Sequence, residues 1–328
     1  MVMAFGIFLL YPGQFLLHAA VGVERGESFL RFLSIGLALF AIFVLYRFAA
    51  QFVRDRTVLW DLTVDHIRIG TWIAGLNVLA SIANRFDSLT ASLLMVGGWI
   101  VWGGYIVWLL KMTVRRQFAG GDLNGSIFLT TVATQSIVIS FVKVWPAGIS
   151  DYIYLLISIN VLGIVFYWIS FALVWIASGI VGPIKNWIPQ NNITHGALSI
   201  SMLAAQMIEE HMPGTLPYFH FVIQIAWVTA SVFVVSSLVL EIYLVVSETK
   251  DLLTFRMTNY ARNFTYAMFF ACTYYGYTYP QPSVMKTVLN PTLLLTLAGI
   301  VLIINVWELS HQLYETWFRR QSTRVAVS

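Results

Sequence analysis

Residues 123–143, LNGSIFLTTVATQSIVISFVK, and residues 150–178, SDYIYLLISINVLGIVFYWISFALVWIAS, decide the fold of this chain. The first segment is short and rich in small or hydroxylated residues, whereas the second is longer and bulkier. Because ~17–20 helical residues span the ~30 Å hydrocarbon core of a bilayer, the short segment is just long enough to cross, and the long one must tilt or project. The pair therefore predicts a hairpin of two membrane-spanning helices.

The same short-then-long pairing occurs five times along the chain. The other short segments are residues 2–19, 66–84, 193–209 and 261–277, and the other long segments are residues 28–52, 88–112, 217–247 and 288–318. Pro12 and Gly13 lie inside the first segment and are expected to break or bend its helix. The sequence thus predicts an all-α integral membrane protein, with ten transmembrane helices arranged as five tandem hairpins in a single domain of residues 1–328.

Composition excludes the other broad classes of protein. A chain of 328 residues that is 59% hydrophobic and 10% charged, with a mean hydropathy of +0.77, is not a water-soluble globule. No connection between the predicted helices exceeds about 15 residues, which leaves no room for a soluble enzyme domain. The single cysteine, Cys272, cannot form an internal disulfide. We expect neither an enzymatic activity nor a bound cofactor, and no nucleic-acid partner.

The basic residues predict the orientation in the membrane. Fourteen lie near the long-to-short connections and the C-terminus: Arg47, Arg54, Arg56, Arg68, Lys111, Arg115, Arg116, Lys185, Lys250, Arg256, Arg262, Arg319, Arg320 and Arg324. Five lie on the opposite side: Arg25, Arg31, Arg85, Lys143 and Lys286. Because cytoplasmic loops carry the excess of Lys and Arg, both termini are predicted to be cytoplasmic, in a multi-pass protein of the cell inner membrane.

The short segments carry the small residues that allow helices to pack closely. Thr130 and Thr134, for example, are four residues apart and share one helix face. Close packing alone explains any single stripe, but five such segments alternating with bulky ones favour an inner ring around a central pore, enclosed by an outer ring. The predicted lining is neutral and consists of Asn77, Thr130, Thr134, Gln135, Ser199, Ser201, Ala267, Ala271 and Thr273.

Away from their ends, the short segments contain no charged residue. A fixed charge of opposite sign would bind a permeating ion tightly, so a neutral lining favours the passage of an anion. A possible anion vestibule is formed by Asn192, His195 and Arg262 near the cytoplasmic starts of two short segments, although simple helix caps are the alternative for the first two. The buried carboxylates Glu241 and Glu308 lie on long helices and are interpreted as inter-helical hydrogen-bonding groups. No metal site is expected, because Glu308, His311 and Glu315 have no matching second cluster.

Four fragments of the short segments go beyond generic membrane composition. They are GTWIAGLNVLAS (70–81), NGSIFLTTVATQSIVI (124–139), NNITHGALSISMLA (191–204) and NFTYAMFFACTYYGY (263–277). In this order they resemble the third, fifth, seventh and ninth helices of the tellurite-resistance/dicarboxylate transporter family. That family includes a bacterial tellurite-resistance channel homologue, plant slow anion channels, and fungal malate and sulfite transporters.

The resemblance implies five tandem hairpins around a pore in each protomer, commonly assembled as a homotrimer. It also implies that a phenylalanine on the ninth helix closes the pore, and Phe264 matches that position. Two residues depart from the family pattern: Thr265 replaces an expected proline, and Tyr275 stands where arginine is frequent. In a trimer we expect aromatic-rich surfaces of the long helices, with Trp168, Trp175 and Trp227, to pack on neighbouring subunits.

The sequence therefore predicts a channel or channel-like transporter that passes small inorganic or organic anions through a central pore with an aromatic constriction at Phe264. A proton-coupled carrier of dicarboxylates such as malate is the alternative within the same resemblance. A non-conducting membrane subunit or sensor is the alternative from another class.

Overall fold

The computed structural model of the protein describes residues 1–54, 69–114, 124–176, 179, 181–185, 187–212, 217–247, 257–279 and 283–325. Six of the basic residues used to predict orientation lie outside this part of the chain: Arg56, Arg68, Arg115, Arg116, Lys250 and Arg256. Every regular element within the described ranges is a helix.

The helices alternate between short and long, as the sequence predicts. They are α1 (Val2–Leu10), α2 (Pro12–Val21), α3 (Val23–Arg54), α4 (Ile69–Ala83), α5 (Ser88–Val114), α6 (Leu129–Val144), α7 (Ile149–Phe171), α8 (Val181–Lys185), α9 (Ile193–His211), α10 (Pro217–Val246), α11 (Tyr260–Thr278), α12 (Val284–Val288) and α13 (Pro291–Val325). Single 3₁₀ turns precede three of the short helices: Gly125–Phe128 before α6, Pro189–Asn192 before α9 and Met257–Asn259 before α11. A π-helical turn, Ala172–Ile176, extends α7.

Six helical segments within the described residues are long and apolar enough to cross a membrane. They are Val23–Val44, Ser88–Met112, Gly125–Val144, Pro146–Ile176, Phe219–Val246 and Pro291–Glu315. The pair α1 and α2 makes a seventh if it is one bent span. The predicted class of an all-α, multi-pass membrane protein is confirmed at this level, whereas the count of ten crossings stays a prediction.

The first span is broken where the sequence predicts a break. Helix α1 ends at Leu10, α2 begins at Pro12, and the two axes differ by 42°. Proline has no backbone N–H and its ring clashes with the preceding turn, so a continuous helix through residue 12 is unfavourable. The break leaves Tyr11 between the two helices, where its side chain is buried.

The short helices α1, α4, α6, α9 and α11 form a closed ring. Each contacts the next in this order, and α11 contacts α1. Each hairpin's long helix packs on its own short helix, and α5, α7, α10 and α13 also contact the short helix of the adjacent hairpin. The result is an inner ring of five short helices with long helices outside it.

Burial distinguishes the two rings. Of the 18-residue apolar stretch in Gly125–Val144, 94% of the residues are buried. The corresponding stretches in Val23–Val44 and in Ser88–Met112 are each only 17% buried. The exposed side chains of the long helices are large and apolar, as is typical of surfaces in contact with lipid tails. The short helices are therefore the core of the molecule, and the long helices separate them from the surroundings.

Close backbone approach holds neighbouring ring helices together. A Cβ atom added to Gly70 of α4 would lie 2.7 Å from the Leu129 carbonyl oxygen of α6. A Cβ atom added to Gly196 of α9 would lie 3.1 Å from Cα of Thr265 on α11. Glycine at these two positions lets the backbones meet where a side chain would keep them apart.

Candidate functional site

A cavity of about 180 Å³ lies where the amino-terminal ends of the five ring helices meet. All five helices, or the turns that precede them, contribute to its wall. The lining residues are Met1, Met3, Ala4, Thr71, Ser126, Leu129, Gln190, Ile193, Thr258, Tyr260, Ala261 and Phe264. No Asp, Glu, Lys, Arg or His is among these described lining residues, so no lining side chain carries a charge at neutral pH.

The amino-terminal ends of all five ring helices face this cavity. They share one direction because each is the first helix of its hairpin. Asn124 starts one of them: its side-chain oxygen accepts a hydrogen bond of 2.9 Å from the Ser126 backbone N–H. Such a cap fixes where the 3₁₀ turn before α6 begins, and Ser126 then lines the cavity. The amino-terminal ends of helices carry partial positive charge, so the cavity is surrounded by five dipole ends of the same sign.

Phe264 lies in the second turn of α11 and is 1% exposed. It is the deepest cavity-lining residue along α11, because Tyr260 and Ala261 precede it toward the amino-terminal end. Thr265, which replaces the expected proline, donates a hydrogen bond of 2.8 Å to the Arg262 carbonyl oxygen. This bond comes from the Thr265 side-chain hydroxyl. The helix α11 runs without interruption from Tyr260 to Thr278, so Phe264 is presented to the cavity from an unbroken helix.

Two of the predicted pore-lining hydroxyls on α6 are bonded to the outer ring. The hydroxyls of Thr130 and Tyr105 are hydrogen bonded at 2.9 Å, and Trp102 donates from Nε1 to the Thr134 hydroxyl at 3.1 Å. Tyr105 and Trp102 both lie on α5. The shared face of Thr130 and Thr134 is thus directed toward α5.

Gln135 and Thr273 have the same kind of environment on other helices. The Gln135 amide exchanges hydrogen bonds with Asn160 of α7, at 3.0 Å to the Asn160 carbonyl and 2.9 Å from the Asn160 amide. Trp227 of α10 donates from Nε1 to the Thr273 hydroxyl at 2.9 Å. These polar groups join the inner ring to the outer ring, in each case between partners buried in the protein.

Asn77 joins two ring helices. Its amide donates to the Ile73 carbonyl at 2.8 Å and to the Ser136 hydroxyl at 3.3 Å, and its oxygen accepts from the Ser140 hydroxyl at 2.5 Å. Asn77 therefore fixes α4 against α6 through a fully buried network.

The remaining predicted lining residues are buried in the helices α9 and α11. Ser199 and Ser201 each donate a hydrogen bond of 2.8 Å to a carbonyl one turn earlier on α9. Ala267 and Ala271 lie one and two turns beyond Phe264 on α11 and have no exposed surface. The pore-lining role of all nine residues stays a prediction.

A charged cluster that the sequence does not reveal lies beside the cavity, between α10, α11 and α13. Arg262 donates to Glu241 at 3.3 Å and pairs with Glu308. Asn192 donates to Glu241 at 2.6 Å, and Asn259 donates to Glu308 at 3.3 Å. Arg262, predicted as part of an anion vestibule, is thus neutralised by two carboxylates that come from long helices.

His195 lies close to this cluster but is not part of it. Its ring is 1% exposed, stands 5.3 Å from the ring of Tyr266, and neither of its nitrogens has a hydrogen-bond partner among the described residues. Within the same part of the chain, no three His, Cys, Asp or Glu side chains are grouped so as to hold a metal ion.

The sequence spacing of 21 and 46 residues between Arg262 and its two carboxylates gives no signal that they would meet.

No known family profile and no curated protein matches this sequence. The resemblance to the tellurite-resistance/dicarboxylate transporter family rests on the four short-helix fragments, and membership of that family stays a prediction.

Proposed function

We propose that this protein passes small anions across a membrane along the axis of the ring, through a path that Phe264 closes at the base of the cavity. The observation that carries the proposal is the closed ring of α1, α4, α6, α9 and α11, with one cavity that all five helices line. A ring of five helices surrounds a single axis, so a solute that enters the cavity meets Phe264 before the protein interior.

The choice of an anion follows from the electrostatics of the cavity. Helix amino-terminal ends favour negative charge, and five of them surround this cavity without a carboxylate in the described lining. A charged lining residue would also hold an ion too tightly to release it, whereas neutral groups allow exit. The arrangement thus favours entry of an anion and its onward passage.

The channel-like mechanism follows from where the polar side chains point. The hydroxyls and amides of Thr130, Thr134, Gln135 and Thr273 are bonded to long helices, so the proposed path does not depend on them. An apolar ring such as that of Phe264 closes a narrow path by excluding water, and its displacement lets water and ions through.

The proposal includes ten membrane crossings, although α4, α9 and α11 are not among the six long apolar spans. These helices are enclosed by protein, and a helix that does not face lipid needs fewer apolar residues. Both termini would then be cytoplasmic, with the cavity opening to the cytoplasm of a cell inner membrane. A homotrimer is proposed from the family resemblance alone.

Flux into liposomes tests the proposal. Purified protein in vesicles loaded with chloride, nitrate, sulfate or malate in turn should pass the small monovalent anions fastest, with a reversal potential that follows the anion gradient. Flux should be insensitive to a pH gradient. Absence of flux for every anion, together with a stable partner protein that co-purifies, would favour the non-conducting subunit and contradict the proposal.

The Glu241–Arg262–Glu308 cluster favours a second candidate, the proton-coupled dicarboxylate carrier. Two buried carboxylates share one guanidinium, which leaves one negative charge in excess at a buried position. Intramembrane carboxylates of this kind carry protons in many transporters. A carrier should take up malate against its gradient when the pH gradient is inward, and Glu308→Gln should abolish that uptake, whereas Glu24→Gln, an exposed carboxylate, should not.

A further inference from the structure

Three ring helices end close together at the opposite end of the ring from the cavity. Tyr11 follows α1, Arg85 lies two residues beyond the end of α4, and Lys143 is in the last turn of α6. Helix α4 contacts both α1 and α6. The Asn84 amide donates a hydrogen bond of 2.9 Å to the Lys143 carbonyl, which ties the ends of α4 and α6 together.

The polar groups of these three residues converge. The Lys143 ammonium lies 4.4 Å from the centre of the Tyr11 ring, and Arg85 and Lys143 are near enough to repel each other. Burial lowers the pKa of the Arg85 guanidinium, whereas the neighbouring Glu27 and Tyr11 raise that pKa. Tyr11 is thus in contact with one cation and beside the other.

Two hydrogen-bond donors of this group are buried and have no acceptor in the part of the chain that the structure describes. The Arg85 guanidinium donates from Nη2 to Gln14 at 2.9 Å, but Nη1 has no partner among the described residues. The Tyr11 hydroxyl also has none, and Tyr11 is only 6% exposed. A buried donor without an acceptor is destabilising, so two such donors on neighbouring residues indicate an acceptor that comes from outside the chain.

The charge of the surroundings shows the sign of that acceptor. Glu27 interacts electrostatically with Arg85, but its Oε1 accepts from Gln14 at 3.0 Å and lies 3.0 Å from His18 Nε2, and no hydrogen bond between Glu27 and Arg85 forms within the described residues. Neither Arg85 nor Lys143 forms an ion pair with a carboxylate of the described residues. Cations near the carboxyl-terminal end of a helix interact favourably with its dipole. That interaction does not provide an acceptor for the Tyr11 hydroxyl or for Arg85 Nη1.

We propose that Tyr11, Arg85 and Lys143 form a binding site for a small inorganic anion, such as chloride or nitrate, at the end of the ring opposite the cavity. The hydroxyl and guanidinium donate to the anion, and the ammonium supplies a second positive charge beside it. The inference rests on the proposed function, because it places a binding site at the other end of the same path.

Thermal unfolding of the detergent-solubilised protein measures anion binding without transport. Sodium nitrate should raise the melting temperature of the wild type relative to sodium gluconate at equal ionic strength, because a ligand that binds the folded state stabilises it. Arg85→Gln and Lys143→Gln should weaken apparent nitrate affinity tenfold or more. Tyr11→Phe, which keeps the ring and its packing, should weaken that affinity about three- to tenfold.

Arg25→Gln is the matched control, since Arg25 is an exposed basic residue on the same predicted side of the membrane. It should retain the full nitrate effect. Equal nitrate stabilisation in the wild type and in Tyr11→Phe and Arg85→Gln would overturn the site. Anion flux by a wild-type protein that nitrate does not stabilise would overturn the site and leave conduction standing. Nitrate stabilisation of a protein without flux would support the site and contradict the proposed function.

Discussion

Phe264 is the residue at which the proposed path and ordinary packing make opposite predictions. If its ring closes the path, Phe264→Ala opens a wettable passage and anion flux into liposomes should rise several-fold or more. If the ring only fills the core, its removal costs ~3–5 kcal/mol of stability and adds no flux. Flux and thermal stability measured on the same preparation separate the two outcomes.

Phe270 provides the control for this variant. It lies on the same helix and is also 1% exposed, but its ring stacks on Tyr274, contacts Phe15 in a tilted arrangement and does not line the cavity. Phe270→Ala should lower stability without raising flux. Equal flux from both variants would show that any loss of core packing makes the protein leak, and the assignment of Phe264 as the gate would then be wrong.

Asp87 is a residue whose charge stabilises the fold at neutral pH. Its carboxylate accepts hydrogen bonds from the Thr90 hydroxyl at 2.5 Å and the Thr90 backbone N–H at 2.8 Å, and these bonds lower the pKa of Asp87. A lowered folded-state pKa means that the stabilisation is present above the unfolded pKa of about 4 and is lost as the pH falls through the folded value. Asp87→Ala should lower the melting temperature at pH 7, and the difference from wild type should shrink below pH 4. A difference that is constant with pH would contradict this role.

Thr130 and Thr134 show which part of a side chain's environment the sequence does not predict. Thr130 and Thr134 share one helix face, and the four-residue spacing predicts that correctly. Spacing does not say which neighbour the face meets, and in the structure that neighbour is α5. Their partners, Tyr105 and Trp102, are 25 and 32 residues away in the sequence, and nothing in the local sequence pairs them with these hydroxyls.

At the scale of helices, the approach of α4 and α6 makes a direct prediction at Gly70. An added Cβ would meet the backbone of Leu129, which cannot move aside as a flexible side chain would. Gly70→Ala should therefore force α4 and α6 apart and lower the stability by about 1–3 kcal/mol, as measured by denaturant or thermal unfolding in detergent.

Gly103 on α5 is the matched control for Gly70. A Cβ added there would have no heavy atom of the described residues within 4 Å, apart from its own helix backbone and chain neighbours. Alanine is also a better helix former than glycine by up to about 1 kcal/mol. Gly103→Ala should leave the stability unchanged or slightly raise it. A loss as large as that of Gly70→Ala would show that the cost arises from helix flexibility and not from contact between the two helices.

The alternation of short and long helices was predictable because burial dictates composition. A helix enclosed by other helices has small and polar residues, while a helix facing lipid has large apolar ones, so the two kinds differ along the sequence itself.

The positions of the tryptophans do not follow from this rule. Trp168 is 61% exposed, but Trp175 and Trp227 are buried and bond to Thr194 and Thr273 within the same chain. The prediction that these two pack on neighbouring subunits is therefore wrong, since an indole can face inward from a long helix.

In the molecule as a whole, the ring of five helices depends on contacts that no local pattern encodes. The contact of α11 with α1 closes the ring between residues more than 240 positions apart. The Glu241–Arg262–Glu308 cluster and the Tyr11–Arg85–Lys143 group likewise join residues from separate hairpins. Segment length and residue composition predict which helices are inner and outer, whereas the charged groups form only once the hairpins are arranged around one axis.

The orientation of the whole molecule is testable at the two ends of α6. Lys111 near the end of α5 and Asp151 in the first turn of α7 are both exposed, and the basic asymmetry places them on the cytoplasmic and external sides, respectively. In intact cells, an impermeant thiol reagent should label Asp151→Cys and should reach Lys111→Cys only after permeabilisation. Cys272 has no exposed surface and should give little background. The reverse pattern would invert the topology, and the cavity that Phe264 lines would then open to the outside, with the Tyr11–Arg85–Lys143 site facing the cytoplasm.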